Sequence, residues 1–364
     1  MNPFTLQYHP DYFCDRVVEI EALRTNLING INTVVYSPRR IGKTAMILHL
    51  FHQLEESGKY ETIYVDLFAS RNLHDLVNKM GEQLLKRYHK KNLLEGVKKI
   101  FKGMYASISF SPDGSPQLSL GMGQGQMDAT LENLFTFLEK RKKPVFIAFD
   151  EFQEIAAYPE KAEANLRSII QRLNNVGCIF SGSAMHLLQN MFFSPSQAFY
   201  QSAGSLVLQK INEDVYLDFI IQQFKNANKE ITNEAAQQLL EFTENHTFYT
   251  QMICNIAFYK TTNQLDIEMV KEIEKDYLES RKFDYYNIYN LLSENQKKIV
   301  IAIAKEGKIS KPTAIDFLMK HKLPSASSTL QAFNSLVEKE IVYKNQGEFS
   351  VYDIFLKRFL QAYL

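Results

Sequence analysis

The chain has 364 residues, with 41 Lys and Arg against 41 Asp and Glu, so its formal net charge is zero. Apolar residues make up 45% and charged residues 23%, the ordinary globular range. This excludes a disordered or low-complexity chain, a wholly basic nucleic-acid coat and an acidic solvating tail. The length exceeds what one hydrophobic core serves, so two or three domains are expected. Cys14, Cys178 and Cys254 are scattered and form no CxxC, which suits a reducing compartment and a cytoplasmic location. The N-terminus lacks the basic and apolar regions of a signal peptide, and no apolar run reaches the length of a membrane span, so no membrane partner is expected. The eight histidines show no metal-ligand spacing; His49 and His52 are expected on a helix surface.

In chain order, the first β-rich run is Ile31–Tyr36, followed by Ser37-Pro38-Arg39-Arg40-Ile41-Gly42-Lys43-Thr44 and an apolar-periodic helix starting near Ala45. Further strands are expected at Thr62–Leu67, Val145–Phe149, Cys178–Phe180 and Leu206–Leu208. Short, nearly continuous apolar runs separated by helices predict a parallel sheet covered on both faces. The link between the second and third strands is long. It holds two helical stretches and then alternating residues around Pro112-Asp113-Gly114, which predict an inserted β-hairpin at about 105–122. The Gly121–Gln126 stretch after it is expected to be a flexible returning arm. From about Asn212 the pattern turns helical. A capping box at Ser293–Gln296 opens a final stretch of three helices and a hairpin around Asn345-Gln346-Gly347, the order of a winged helix. The expected domains are therefore 1–210, 211–284 and 285–364.

Three motifs carry chemistry. Gly42-Lys43-Thr44 between a strand and a helix is a phosphate loop: backbone N–H groups at a helix start attract an anion, Lys43 reaches the β- and γ-phosphates, and the Thr44 hydroxyl suits Mg²⁺. The full pattern asks for Gly where this chain has Ser37, whose left-handed geometry costs more. Asp150-Glu151 ends the Val145–Phe149 strand, where one acid can hold Mg²⁺ and the next can deprotonate the attacking water. Ser181-Gly182-Ser183 is either a hydroxyl contact to the γ-phosphate or its water, or a small-residue turn.

These residues bring the chain close to a known family. It resembles the archaeal-type P-loop ATPases of the AAA+/STAND group. The resemblance rests on Phe13-Cys14-Asp15-Arg16-Val17-Val18-Glu19-Ile20, on Ser37–Thr44, on Phe146-Ile147-Ala148-Phe149-Asp150-Glu151-Phe152-Gln153, on Phe180-Ser181-Gly182-Ser183, and on the helical lid and terminal winged helix. It implies an α/β P-loop NTPase fold of the ASCE type, with sheet order 5-1-4-3-2, an all-α lid and a winged helix. It also implies ATP as substrate, with Mg²⁺. By position, Ser37, Pro38, Arg39, Arg40, Ile41, Gly42, Lys43, Thr44 and Ala45 would line the nucleotide. Thr44 and Asp150 would hold the metal, Glu151 would be the catalytic base, and Ser181 a sensor. The Phe13–Arg16 segment would lie near the adenine. Family members often carry a Gly-Arg pair where this chain has Gln201-Ser202, and a proline turn where it has Asn245–Phe248. Slow or partner-stimulated hydrolysis is therefore expected; Arg167 or Arg172 could substitute for the missing arginine, but a surface or packing role is favoured for each.

Residues 290–364 contain eleven basic and seven acidic residues, a surplus of +4. The expected recognition helix offers Ser325, Ser327, Ser328, Gln331 and Asn334 but no Arg, the commonest reader of guanine. Lys320, His321 and Lys322 could meet phosphates. DNA binding is thus possible but weak; a packing or protein-interaction role for the winged helix is favoured, and a protein partner through the winged helix or the inserted hairpin is possible. The alternative function is a DNA-binding regulator with an ATP-sensing domain. The oligomeric state is left open.

Overall fold

Five near-continuous apolar runs form one parallel sheet, and helices cover both of its faces. The computed structural model describes residues 2–88, 105–110, 116–121, 124–345 and 347–364. They fall into two units, Gln7–Lys210 and residues 2–6 with Ile211–Leu364.

The first unit opens with α1 (Val17–Ile28), β1 (Thr33–Tyr36), α2 (Lys43–Glu56), β2 (Glu61–Asp66) and α3 (Leu73–Arg87). Next come β3 (Tyr105–Phe110), β4 (Pro116–Gly121), α4 (Gln124–Glu139) and β5 (Val145–Asp150). It closes with α5 (Ala162–Ile170), β6 (Val176–Gly182), α6 (Met185–Phe193) and β7 (Gly204–Val207). The sheet order is β2-β5-β6-β1-β7, every pairing parallel. Numbering the five strands by sequence, this is the expected 5-1-4-3-2. Register aligns the carboxyl ends: Asp66 lies beside Asp150, and Tyr36 beside Gly182. That edge is where ligands of open α/β sheets bind.

β3 and β4 pair antiparallel, Tyr105 with Gly121 and Phe110 with Pro116, so the inserted hairpin is present. Its turn at Pro112-Asp113-Gly114 and the second helical stretch of the link lie outside the described residues, as does Gln346 in the later turn. The arm expected over Gly121–Gln126 is largely something else: Gly121 closes β4, and Gln124 already begins α4. Met127, Leu131, Leu134, Phe135 and Leu138 recur at helical spacing and are all buried. Burying that stripe propagates the helix back across Gly125.

The second unit begins with α7 (Glu213–Asn226), β8 (Glu230–Ile231), α8 (Asn233–Phe242), α9 (Thr247–Lys260), β9 (Gln264–Leu265) and α10 (Ile267–Asn290). Phe4 is buried there against the rings of Phe219, Phe224 and Phe258. Then follow α11 (Glu294–Glu306), α12 (Ile315–Lys320), α13 (Ala326–Glu338), β10 (Val342–Asn345) and β11 (Glu348–Val351). The capping box at Ser293 and Gln296 is formed. A further helix, α14 (Ile354–Tyr363), continues past the expected hairpin. Asp353 caps it by accepting from Phe355 N and Leu356 N. Phe355 lies against Phe242, Tyr249 and Tyr277. Lys357 is paired with Glu244 at 2.6 Å, and Arg358 donates to the backbone carbonyls of Glu241 and Phe242 at the end of α8. Basic groups at a helix C-terminus satisfy its orphan carbonyls. The last helix thereby binds the lid helices and the winged helix into one unit.

Candidate nucleotide site

The loop between β1 and α2 turns at Arg40 and Gly42, with φ of 65° and 101°. The strain expected at Ser37 is absent, because Ser37 has no positive φ. It is instead buried, with its hydroxyl donating to the Pro38 carbonyl at 2.9 Å. Gly42 N-caps α2 without a side chain, so the first-turn N–H groups of the helix face the loop.

Lys43 is only 6% exposed. Its ammonium donates to Ser37 O, Ser37 Oγ and Pro38 O at 3.3–3.4 Å. All three acceptors are neutral and all three bonds are long. Burial pushes the Lys43 ammonium below its ordinary pKa. The charges of Asp150 and Glu151 oppose that push, and Arg39 adds to it.

Asp150, 5% exposed, gathers three hydroxyls. Thr44 Oγ1 donates to Oδ2 at 2.6 Å, Tyr64 to the same oxygen at 2.5 Å, and Ser181 to Oδ1 at 2.6 Å. Burial alone would raise the Asp150 pKa, but the bonds from Ser181, Thr44 and Tyr64, with the Lys43 charge, hold it below the ordinary value. Tyr64 was not foreseen. It lies beside Ala148, two residues short of Asp150, and its ring spans that rise of about 6.6 Å. Only the β2–β5 register reveals this contact.

Glu151 takes a left-handed conformation, φ 52°, at the end of β5. One of its oxygens, Oε2, accepts from Gln153 Nε2 at 2.5 Å, Ser183 Oγ at 3.0 Å and Ser183 N at 3.3 Å. Arg39 Nε donates to Ser183 Oγ at 3.3 Å, tying the loop to this cluster. The two serines of Ser181-Gly182-Ser183 thus divide: Ser181 faces Asp150 and Ser183 faces Glu151.

Arg16 is buried and left-handed at φ 70°. It donates to Ile41 O at 3.3 Å, bracing the loop from outside, and pairs with Glu19. Phe13 stacks on His49 with ring centroids 4.1 Å apart, and Tyr8 OH lies 3.1 Å from His49 Nδ1. His49 is therefore half-buried among aromatic groups, not on the open surface expected. Ala45 follows in the first turn of α2. Arg172 is paired with Glu132, and Arg167 bonds Gln171 within its own turn.

Residues 13–177 match the family model of an ATPase domain found predominantly in Archaea. Residues 283–362 match a probable winged helix domain. The chain thus carries an archaeal-type ATPase domain and, after it, a probable winged helix domain. Among solved structures, the Walker-type ATPase paby2304 of Pyrococcus abyssi is 16% identical with a TM-score of 0.66, and 99% of each chain is covered. The ORC2 protein of Aeropyrum pernix, in ADPNP–ADP complexes, is 15% identical with a TM-score of 0.60, covering 99% of this chain and 98% of that one. The ORC1 protein of Aeropyrum pernix, in complex with DNA, is 14% identical with a TM-score of 0.54, covering 99% and 95%. At such identities the likeness is one of fold. No curated protein matches the chain. Among the described residues of this ATPase, no helix is long and apolar enough to cross a membrane.

Proposed function

We propose that the chain is a Mg²⁺-dependent ATPase that works as a slow, nucleotide-driven switch. The observation that carries this is the convergence of Thr44 Oγ1 and Asp150 Oδ2, 2.6 Å apart, at the carboxyl edge of the sheet beside Lys43. Mg²⁺ is held in such sites by one or two protein oxygens together with waters and substrate phosphates. The donor set here, one hydroxyl and one ionised carboxylate, fits that chemistry. When bound, the metal would neutralise charge developing on the phosphate oxygens.

The residues of the chain then have distinct tasks. The first-turn N–H groups of α2 and Lys43 bind the β- and γ-phosphates of ATP. Arg39 and Arg40, exposed on the loop, border the same phosphates, while Ser37, Pro38 and Ile41 shape the backbone that holds them. Phosphate oxygens replace the long, neutral contacts that now hold the Lys43 ammonium, which makes that exchange favourable. Glu151 takes a proton from the water that attacks the γ-phosphorus, and ADP leaves as the bond to the bridging oxygen breaks. Gln201-Ser202 stands where the family's Gly-Arg pair is expected, so hydrolysis stays slow until a partner supplies a cation. Three free, buried cysteines suit a cytoplasmic protein.

Isothermal titration and a single-turnover assay test this reading. Lys43→Ala should abolish ATP binding, and Glu151→Gln should bind ATP without hydrolysing it. Unchanged ATP affinity in Lys43→Ala would remove the site assignment.

For the winged helix, a protein contact is the reading we favour over duplex DNA. Lys320 and His321, two of the three candidate phosphate ligands, are engaged with Glu306, at 2.7 and 2.6 Å. Lys357 is occupied by Glu244, Arg358 by the end of α8, Lys297 by Glu294 and Lys308 by Glu348. Five of the eleven basic residues of this segment are thus drawn into contacts within the protein. Duplex binding that weakens steeply with salt would overturn this preference.

A further inference from the structure

We propose that Gln153 is a positioning residue for the hydrolytic step: its amide anchors one oxygen of Glu151 and leaves the other to the attacking water. The proposal rests on the reading of Glu151 as the base.

Gln153 lies in the 3₁₀ segment Phe152–Ala157 that begins directly after Glu151. It is 7% exposed. Its Nε2 donates to Glu151 Oε2 at 2.5 Å, while its own Oε1 is buried with no hydrogen-bond partner. The opposite amide orientation would set two oxygens against each other at that distance, so the contact with Glu151 decides which way the amide points. A buried carbonyl without a partner is costly to the folded protein. A Leu or Met would fill the same space without that penalty. What the amide alone adds is the N–H directed at Glu151.

The neighbouring strand is shaped to accept this side chain. A Cβ at Gly182 would sit 1.9 Å from Gln153 Oε1. Gly182 has no positive φ, so its backbone does not require glycine. The missing side chain is space, and Gln153 occupies it. Ser183, the next residue, donates to the same Glu151 oxygen through both N and Oγ. Three donors therefore converge on Oε2, and no donor among the described residues bonds Oε1. A carboxylate held by one oxygen in this way has a fixed plane and one free basic site. Misplacing a catalytic group by about 1 Å can lower a rate on the order of 100-fold.

The test uses the full chain in a single-turnover assay with enzyme in excess over radiolabelled ATP, which also reads slow rates. Gln153→Met keeps length and volume and loses only the amide. Its hydrolysis rate should fall about 10- to 100-fold, with ATP affinity unchanged and the melting temperature not lowered. Gly182→Ala keeps both polar groups but pushes the flexible end of Gln153 aside, and should show the same loss of rate with unchanged affinity. Parallel loss of affinity and stability in both variants would make Gln153 merely structural and overturn the proposal. So would wild-type rates in Gln153→Met while Glu151→Gln is inactive. If Glu151→Gln hydrolyses ATP normally, or the wild type is inert, the base assignment itself fails.

Discussion

Removing the Tyr64 hydroxyl isolates one of the three bonds that hold Asp150. Tyr64→Phe keeps the ring, so no cavity opens. The lost bond is 2.5 Å long and ends on an ionised oxygen, where a hydrogen bond contributes about 1.5–3 kcal/mol. Thr44 still serves the same Oδ2 and Ser181 serves Oδ1, so the carboxylate is not orphaned. The lower part of the range applies, about 1.5–2 kcal/mol for the unit Gln7–Lys210. Native-state hydrogen exchange of β5 and β6 amides reads the stability of that unit by itself. Their exchange should quicken about 10- to 30-fold at pH 7, since 1.4 kcal/mol is tenfold. The sign with pH follows from Asp150. Burial would raise its pKa, but bonds from Ser181, Thr44 and Tyr64 and the charge of Lys43 hold it below 3.8. The stabilisation is thus complete above pH 3.8 and is lost as the pH falls through the lower, folded value. The gap between variant and wild type should shrink with acid as the bond ceases to be charge-assisted. Unchanged protection at pH 7, or a gap that widens towards acid, would refute the account of Asp150 as a hydroxyl-anchored carboxylate.

Two further expectations concern the loop and the second unit. Gly42→Ala forces a Cβ into φ 101°, a strain of about 1–3 kcal/mol, and should weaken ATP binding about tenfold or more by titration; unchanged affinity would mean the loop bends elsewhere. Burial pushes the Glu274 carboxyl up to about 7, against the opposing hydrogen bond from Gln238. The folded unit therefore favours protonated Glu274, and stability should decline as pH rises from 4.5 through about 7. Glu274→Gln should flatten that decline and melt higher than wild type at pH 8; parallel slopes in both proteins would exclude Glu274 as its source.

The parts of this molecule that were legible in the sequence are those written in short-range pattern. An apolar run followed by Gly42-Lys43-Thr44 specifies strand, loop and helix together, because each signal lies within a few residues of the next. The same holds for Asp150-Glu151 at the end of its strand, and for the capping box at Ser293. What escaped depends on register or on contacts between distant segments. The Tyr64 hydroxyl reaches Asp150 only because β2 pairs with β5 in one particular register. The bend at Arg40 in place of Ser37 is set by the Lys43 ammonium reaching back to Ser37 and Pro38. The helix α14 was readable in principle: Ile354, Phe355, Leu356, Phe359 and Leu360 are buried at helical spacing behind an Asp cap. Expecting a winged helix to end on its hairpin hid it.

The same distinction bears on the acidic pair. Sequence places two carboxylates side by side, and only their order after the strand and the family resemblance assign one to the metal and the next to the base. Tertiary contacts separate them: three hydroxyls and a buried setting draw both oxygens of Asp150 into bonds, whereas Glu151 is gripped by a single oxygen. A carboxylate occupied at both oxygens by exchangeable hydroxyls suits a hard cation, which replaces such donors with stronger charge. A carboxylate with one oxygen free suits proton transfer. The division of labour proposed for these neighbours would therefore come from the residues around them, Tyr64, Gln153 and Ser183, more than from their own positions on β5.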